Sequence, residues 1–398
     1  MSVGINLEKS KSPEVEPRAR NGVKILVFST AFKPLIGGSE IALEEIIKRL
    51  PDIFFDIVTP KFKKDLDRFE SFDNNSIYRV GWGCTCDKLF FPVIGFFKAL
   101  KLYKKNTYQI IHAYQASYGG GVAWLFKIFK TKAIFILTLQ EGKNLDKQSF
   151  FIRFFRNLII KKADIITVIS NYLKSYAEQI NEKATIVLIP NGVDAKKFNE
   201  SINENNENKL REELRIKKDE KIIITISRLV PKNGVTDLIN AFYKLNPTDR
   251  NLKLLIVGSG YMKESLESEI KNLGIEKRVI MLGNIPHENI VTYLKISDLF
   301  VRPSLSEGLG SAFLEAMAAG LPIIGTKVGG IADFLIDGET GLFCETNNPD
   351  DLAEKINRIL DDGELRKKLA ENGLKLALEK YNWDKIADKF RELYKNGM

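Results

Sequence analysis

The chain has 398 residues, 44% of them hydrophobic and 28% charged, with a net charge of +9; that is more than one core usually serves, so two domains are expected. Its three cysteines, Cys84, Cys86 and Cys344, give neither a disulfide framework nor a zinc spacing, since Cys84 and Cys86 could pair only with strain; this suits a reducing compartment. No signal-peptide pattern opens the chain and no run of about 18 apolar residues occurs in it, so secretion and a transmembrane helix are not expected, and residues 1–20 read as a mobile tail.

The charge is unevenly placed. Residues 1–199 hold 31 Lys and Arg against 19 Asp and Glu, and the rest 29 against 32. The segment 88–162 alone holds 14 basic and 2 acidic residues. A basic first half suggests an anionic partner: nucleic acid, a phosphorylated substrate or an anionic membrane.

In chain order, "VKILVFS" (23–29) is a continuous apolar run typical of a buried parallel strand. A loop with Gly37 and Gly38 and an amphipathic helix follow it. Strand patterns recur at 54–59, 108–114, 133–139, 163–170 and 184–190, mostly separated by helical stretches. The polar stretch 191–214 reads as a linker. Strand patterns then restart at 221–227, 251–258, 277–283, 298–304 and 322–326, again with helices between. The expected fold is α/β: a Rossmann-like domain at 21–200, a second at 201–380, and a closing amphipathic helix, 381–396, that completes the first. In such sheets ligands sit at the carboxyl ends of the strands.

The loops after strands carry the candidate chemistry. "LSEGLGSAFLEAMAAGLP" (305–322) places Glu307 before a helix that starts near Ser311, and Glu315 one turn inside it. The loop Gly308, Leu309, Gly310 lets backbone N–H groups approach a ligand, and a helix start favours phosphate. Eight helical residues would span about 12 Å, so a turn plus a helix start spans rather less, roughly the length of a diphosphate with a sugar at each end. Glu307 is expected to hold one sugar and Glu315 the other; the plain alternative is a turn acid and a solvated helix residue. "SRLVPKNG" offers Arg228 and Lys232, two cations able to neutralise a diphosphate without a metal, or simply a solvated basic turn. "PLIGGSE" puts Gly38 where its backbone can face a phosphate or sugar across the cleft. His112 ends a strand pattern and is expected to point toward the cleft, although a lone histidine is more often structural.

Other signals fail. "GSGYMK" has Lys263 where a dinucleotide fingerprint needs glycine, no P-loop occurs, and "DLD" (65–67) sits in a charged stretch rather than a metal site. Two stretches, 89–105 and 150–162, mix Phe, Leu and Ile with Lys and Arg, a composition suited to lying among anionic lipid headgroups.

From residue 22 the sequence resembles the family-4 retaining glycosyltransferases of the GT-B fold. The resemblance rests on 298–343, "PLIGGSE", "IPNGVD" (189–194) and "SRLVPKNG". It implies metal-free, cofactor-free transfer of a hexose-type sugar, with retained configuration, from a UDP- or GDP-sugar donor. The acceptor would be a glycan or a lipid-linked molecule of cell-envelope polysaccharide synthesis. The implied setting is the cytoplasm, at an anionic membrane surface, with no nucleic acid. By similarity Glu307 contacts the transferred sugar, Glu315 the ribose and Arg228 the diphosphate; the N–H groups near Ser311 and Ala312 assist, and Ile285 borders the base. The family's lysine usually follows its arginine by five residues; here Asn233 stands there and Lys232 is one residue early. A Thr-x-His pattern is also altered, with Gln140 in the histidine's place and Glu141 next. Gln140 cannot act as a base, though its amide can hydrogen-bond the sugar or acceptor. In a dissociative front-face route the leaving phosphate takes the acceptor proton, so no base is needed. The alternative is a non-catalytic sugar-nucleotide-binding or partner protein on the same fold.

Overall fold

The computed structural model describes residues 22–35, 37–129, 132–142, 145, 148–201, 203–246 and 250–396. The expected tail, 1–20, lies outside them. The first half runs β1 (Val23–Ser29), α1 (Gly38–Arg49), β2 (Ile53–Pro60), β3 (Phe69–Phe72), β4 (Asn75–Val80), α2 (Asp87–Lys105), β5 (Ile110–Tyr114), α3 (Tyr118–Phe129), β6 (Ile134–Leu139), α4 (Phe150–Lys162), β7 (Ile165–Val168), α5 (Asn171–Ile180) and β8 (Thr185–Leu188). Next come α6 (Ala195–Asn199) and α7 (Glu204–Glu213). The second half runs β9 (Lys221–Ile226), α8 (Val235–Lys244), β10 (Leu252–Val257), α9 (Lys263–Asn272), β11 (Val279–Gly283), α10 (Ile290–Lys295), β12 (Leu299–Arg302), α11 (Ser311–Ala318), β13 (Ile323–Thr326), β14 (Leu342–Cys344), α12 (Pro349–Asp361), α13 (Gly363–Lys380) and α14 (Trp383–Asn396).

Among the described residues the strands form an eight-stranded sheet, β3-β4-β2-β1-β5-β6-β7-β8, and a six-stranded one, β11-β10-β9-β12-β13-β14. Every pairing is parallel except β3 with β4. Buried parallel strands need apolar residues on both faces, and Leu26, Ile111, Leu137, Ile224, Leu255 and Phe300 are all fully buried. Helix α14 returns to the first sheet, where Ile386, Phe390 and Tyr394 join the core of Ile25, Val27, Phe55 and Ile136.

The stretch 191–214 is more ordered than its composition suggests. It holds α6, capped by Asp194, and α7, capped by Asn203. It reads as polar because α7 buries none of its residues. At its start Val193 N–H donates to Tyr381 O at 2.7 Å, so the chain passes twice between the two sheets at one place.

The cysteine expectation is corrected. Cys84 and Cys86 form a disulfide, with Cα atoms 5.2 Å apart. The loop curls because Gly81 and Gly83 take positive φ and the buried Asp87 accepts from the N–H groups of Trp82 and Gly83 beneath it. Among the described residues no helix is long and apolar enough to cross a membrane.

Candidate active site

A cleft of about 1250 Å³ opens at the carboxyl ends of both sheets. The loop after β1 gives it Gly37 to Glu40, and the loop after β6 Gln140 to Gly142. The loop after β9 gives Arg228, Lys232 and Asn233, and that after β12 Glu307 to Ser311, with Ala312. Parallel strands deliver these loops to one edge, which is why residues far apart in sequence converge.

Glu307 stands at the centre. Its Oε2 accepts from Arg302 Nη2 at 2.6 Å and its Oε1 from the Gly308 N–H at 3.0 Å. Arg302 is buried at the end of β12 and also donates to Ser304 Oγ and Ile226 O. The guanidinium therefore aims the carboxylate. Gly310 takes φ +95 ahead of α11, whose start carries no side-chain cap. The first N–H groups of α11 are thus left to a ligand.

Across the cleft, Lys232 Nζ donates to Gly142 O at 2.8 Å and Ser306 O at 3.4 Å, joining a loop of one domain to a loop of the other. A Cβ at position 142 would lie 3.2 Å from Lys232 Nζ and 3.5 Å from Glu307 Oε1, so glycine is what lets these groups meet. The early position of Lys232 is resolved by the turn at Pro231–Asn233: Asn233 turns inward, is buried, and donates to Arg228 O at 2.7 Å, while Lys232 reaches the cleft. Arg228 itself is exposed in the cleft. Gln140 pairs amide to amide with Asn191, at 3.2 and 3.4 Å. Beside it, burial pushes the Glu141 carboxyl up; one oxygen accepts from the Ala116 N–H at 2.7 Å and the other has no partner.

Glu315 does not line this cleft. It faces a second hollow of about 80 Å³ with His287, Lys197, Glu45 and Trp383. Gly38 and Ser311 line both hollows, so the α11 start lies between the two glutamates. His287 Nε2 lies 2.8 Å from Glu315 Oε1. That hydrogen bond, opposed by partial burial and Lys197 and aided weakly by Glu45, raises the His287 pKa. A raised folded-state pKa stabilises the fold fully below the unfolded value of about 6.5, and the contribution is lost as pH rises through the folded value. His287→Gln should therefore lower the urea midpoint more at pH 5.5 than at pH 8.5; an equal loss at both would show that the pair does not titrate.

Two expected site residues lie elsewhere. His112 is a correction: it sits within β5, fully buried, its ring bonded to Tyr394 OH at 2.9 Å and Thr138 Oγ1 at 2.6 Å. The residue faces α14 instead of the cleft, and burial pushes its pKa down to about 3. Ile285, half-buried in the loop after β11, packs against core residues and borders neither hollow. Sequence reasoning missed Arg302, although a charge closing the apolar strand run "LFVR" was its signal. It also missed Gly329 and Gly330, whose backbones pass beneath Glu307 and Gly308. Among the described residues, the metal-ligand cluster is Cys84, Cys86 and Asp87, outside the cleft and with its sulfurs joined to each other.

Two Rossmann-like sheets with a cleft between them define the GT-B fold. The solved sucrose-phosphate synthase of Thermosynechococcus elongatus superposes with a TM-score of 0.83, at 23% identity, over 94% of this chain and 98% of that one. HepE of Anabaena, solved with UDP-glucose, gives 0.77 at 20% identity over 94% and 99%. The model for glycosyltransferase family 4 matches residues 36–197, and that for glycosyl transferases group 1 matches 206–376. An uncharacterised glycosyltransferase of Methanocaldococcus jannaschii is 30% identical over 94% of this chain and 98% of its own. The N-acetyl-alpha-D-glucosaminyl L-malate synthase of Bacillus anthracis is 30% identical over 75% and 77%. The chain belongs to the family-4, group 1 glycosyltransferases.

Proposed function

We propose that the chain is a retaining hexosyltransferase that uses a nucleotide-diphosphate sugar, of the uridine or guanosine series, without a metal or cofactor. The observation that carries this is the convergence of Glu307, Arg228 and Lys232 on the uncapped start of α11. The diphosphate lies over the α11 start between the two cations, which supply the positive charge a metal would otherwise give. Glu307 accepts hydroxyls of the transferred sugar, and Glu315, in the adjoining hollow, those of the ribose. HepE's complexes with UDP and UDP-glucose support a nucleotide-sugar donor for this fold. The leaving phosphate oxygen takes the acceptor proton as the acceptor oxygen bonds to the sugar from the same face, while Glu307, oriented by Arg302 and the Gly308 N–H, keeps lone pairs for the sugar hydroxyls. Gln140 hydrogen-bonds the acceptor. The basic helices α2 and α4 rest on an anionic membrane surface at the cytoplasmic side, where a glycan or lipid-linked acceptor is presented.

Arg228→Ala tests the donor reading with little risk to the fold, since the side chain is exposed. Losing a hydrogen-bonded charge costs about 1.5–3 kcal/mol, so donor KM should rise about 10–100-fold with kcat less affected. Activity should survive EDTA, and the product anomer, read by NMR, should match the donor's. An unchanged KM, an inverted product or donor binding with no transfer would overturn the proposal.

A further inference from the structure

The cleft is larger than its polar half requires. Small-molecule sites commonly occupy about 300–1,000 Å³, and this one reaches about 1250 Å³. Away from the glutamate and the cations, its walls change character. Leu89 and Pro92 of α2, Trp124 of α3, and Phe151, Ile152 and Phe155 of α4 line that part. Phe151, Phe155 and Leu89 remain 72%, 58% and 58% exposed. Beyond the rim the same helices expose Phe90, Val93, Phe97, Phe150 and Phe154. An apolar surface of this extent, continuous with a binding cleft, marks an interaction site. A nucleotide sugar, which is polar and anionic, has nothing to gain from it.

The charge around the trough narrows the occupant. Of the basic residues on α2, α3 and α4, Lys104, Lys105, Lys127, Lys161 and Lys162 lie in the last turns, away from the cleft, whereas Arg156 lines it; the one acid on these helices, Asp87, is buried beneath its own loop. Lys88 and Arg153 are exposed next to Leu89 and Ile152 at the trough itself. A hydrocarbon chain joined to an anionic linkage fits both the apolar walls and the cationic rim; a neutral glycan fits neither.

We propose that this trough binds the hydrocarbon chain of a lipid-linked acceptor, with the anionic linkage at the basic rim and the sugar-accepting end in the polar half of the cleft. The inference rests on the transferase reading and names its acceptor class. The chain lies inside the protein's own cleft, so recognition differs from adsorption to a headgroup layer: a single amphiphile in solution should bind.

Trp124 in the trough wall is a built-in reporter. In a full-length Trp82→Phe background, where the buried Trp383 outside the trough gives a constant signal, 12-bromododecyl phosphate below its micelle concentration should quench the Trp124 part of the fluorescence saturably, and dodecyl phosphate should reverse it. The double variant Ile152→Asn/Phe155→Asn alters exposed side chains and should weaken binding at least fivefold. 12-Bromododecanol should bind several-fold more weakly than the phosphate. No saturable quenching, or quenching equal in the double variant, overturns the proposal. A dimer in sedimentation that the double variant dissolves, without quenching, overturns it in favour of a second copy of the chain. Thermal shift with UDP- and GDP-sugars separates the two claims: a donor shift without quenching sinks the trough alone, and quenching without a donor shift sinks the donor reading.

Discussion

Glu307→Gln is expected to lower kcat by about 10²–10³-fold while leaving donor KM within a few-fold. As the bond to the leaving phosphate stretches, positive charge develops on the sugar. A carboxylate held beside it stabilises that charge more than the ground state, and removing one such preorganised group typically has an effect of this size. Arg302 Nη2, 2.6 Å from Glu307 Oε2, does the preorganising. The amide oxygen of Gln still accepts from Arg302, which also keeps its bonds to Ser304 and Ile226. Glu307→Ala would confuse matters by leaving the buried guanidinium without its counter-ion, a fault that destabilises by several kcal/mol in its own right. Steady-state kinetics of the Gln variant decide the point. A kcat within threefold of the parent would remove Glu307 from the reaction.

The second large effect is expected at a residue that bears no functional group. Gly329 has φ +53, and a Cβ there would lie 1.8 Å from Glu307 O, well inside contact distance. The left-handed conformation costs a side chain about 1–2 kcal/mol, and forcing the overlap costs about 1–3 more. Gly329→Ala should therefore destabilise the second domain by roughly 2–5 kcal/mol and, by displacing the Glu307 carbonyl, cut turnover in the molecules that still fold. Gly338→Ala is the control. It has φ +71 but nothing within 4 Å of the added Cβ, so it should show the strain alone and keep its kcat. Urea midpoints and kcat measured together separate the two contributions. Equal behaviour of the variants would mean the Glu307 loop is not propped from below.

Much of this was legible in the sequence, for a physical reason. Buried parallel strands write themselves as apolar runs, and glycine-rich turns after them mark where a ligand can approach. "VKILVFS", "DLFVR" and "SEGLGS" could therefore be placed with no structure in hand. What could not be read was direction. Position 112 lies one residue from the middle of an apolar pattern whichever face it takes, and only the return of α14 shows that His112 packs against Tyr394. The eight-residue step from Glu307 to Glu315 gives a span along the chain. That the two acids open into separate hollows depends on the packing of α6 and His287 beside α11. Local spacing suggested that Cys84 and Cys86 would resist pairing, whereas two glycines and the caps from Asp87 curl that loop. Asn233 looked like a lost cation, yet it braces the loop that carries Arg228.

The returning helix α14 also sets an order of events during synthesis. Trp383, Ile386, Phe390 and Tyr394 fill the face of the first sheet built on Ile25, Val27 and Phe55, contacts separated by more than 300 residues. A ribosome emits the chain from its N-terminus, so that sheet emerges first and waits, with this face covered by α1 alone, until the whole second domain and the last helix have been made. The second domain has its own core and no such debt. The half that is made last is thus the half that can finish first, and a truncation that removes 383–396 should leave the second domain folded and the first prone to aggregation.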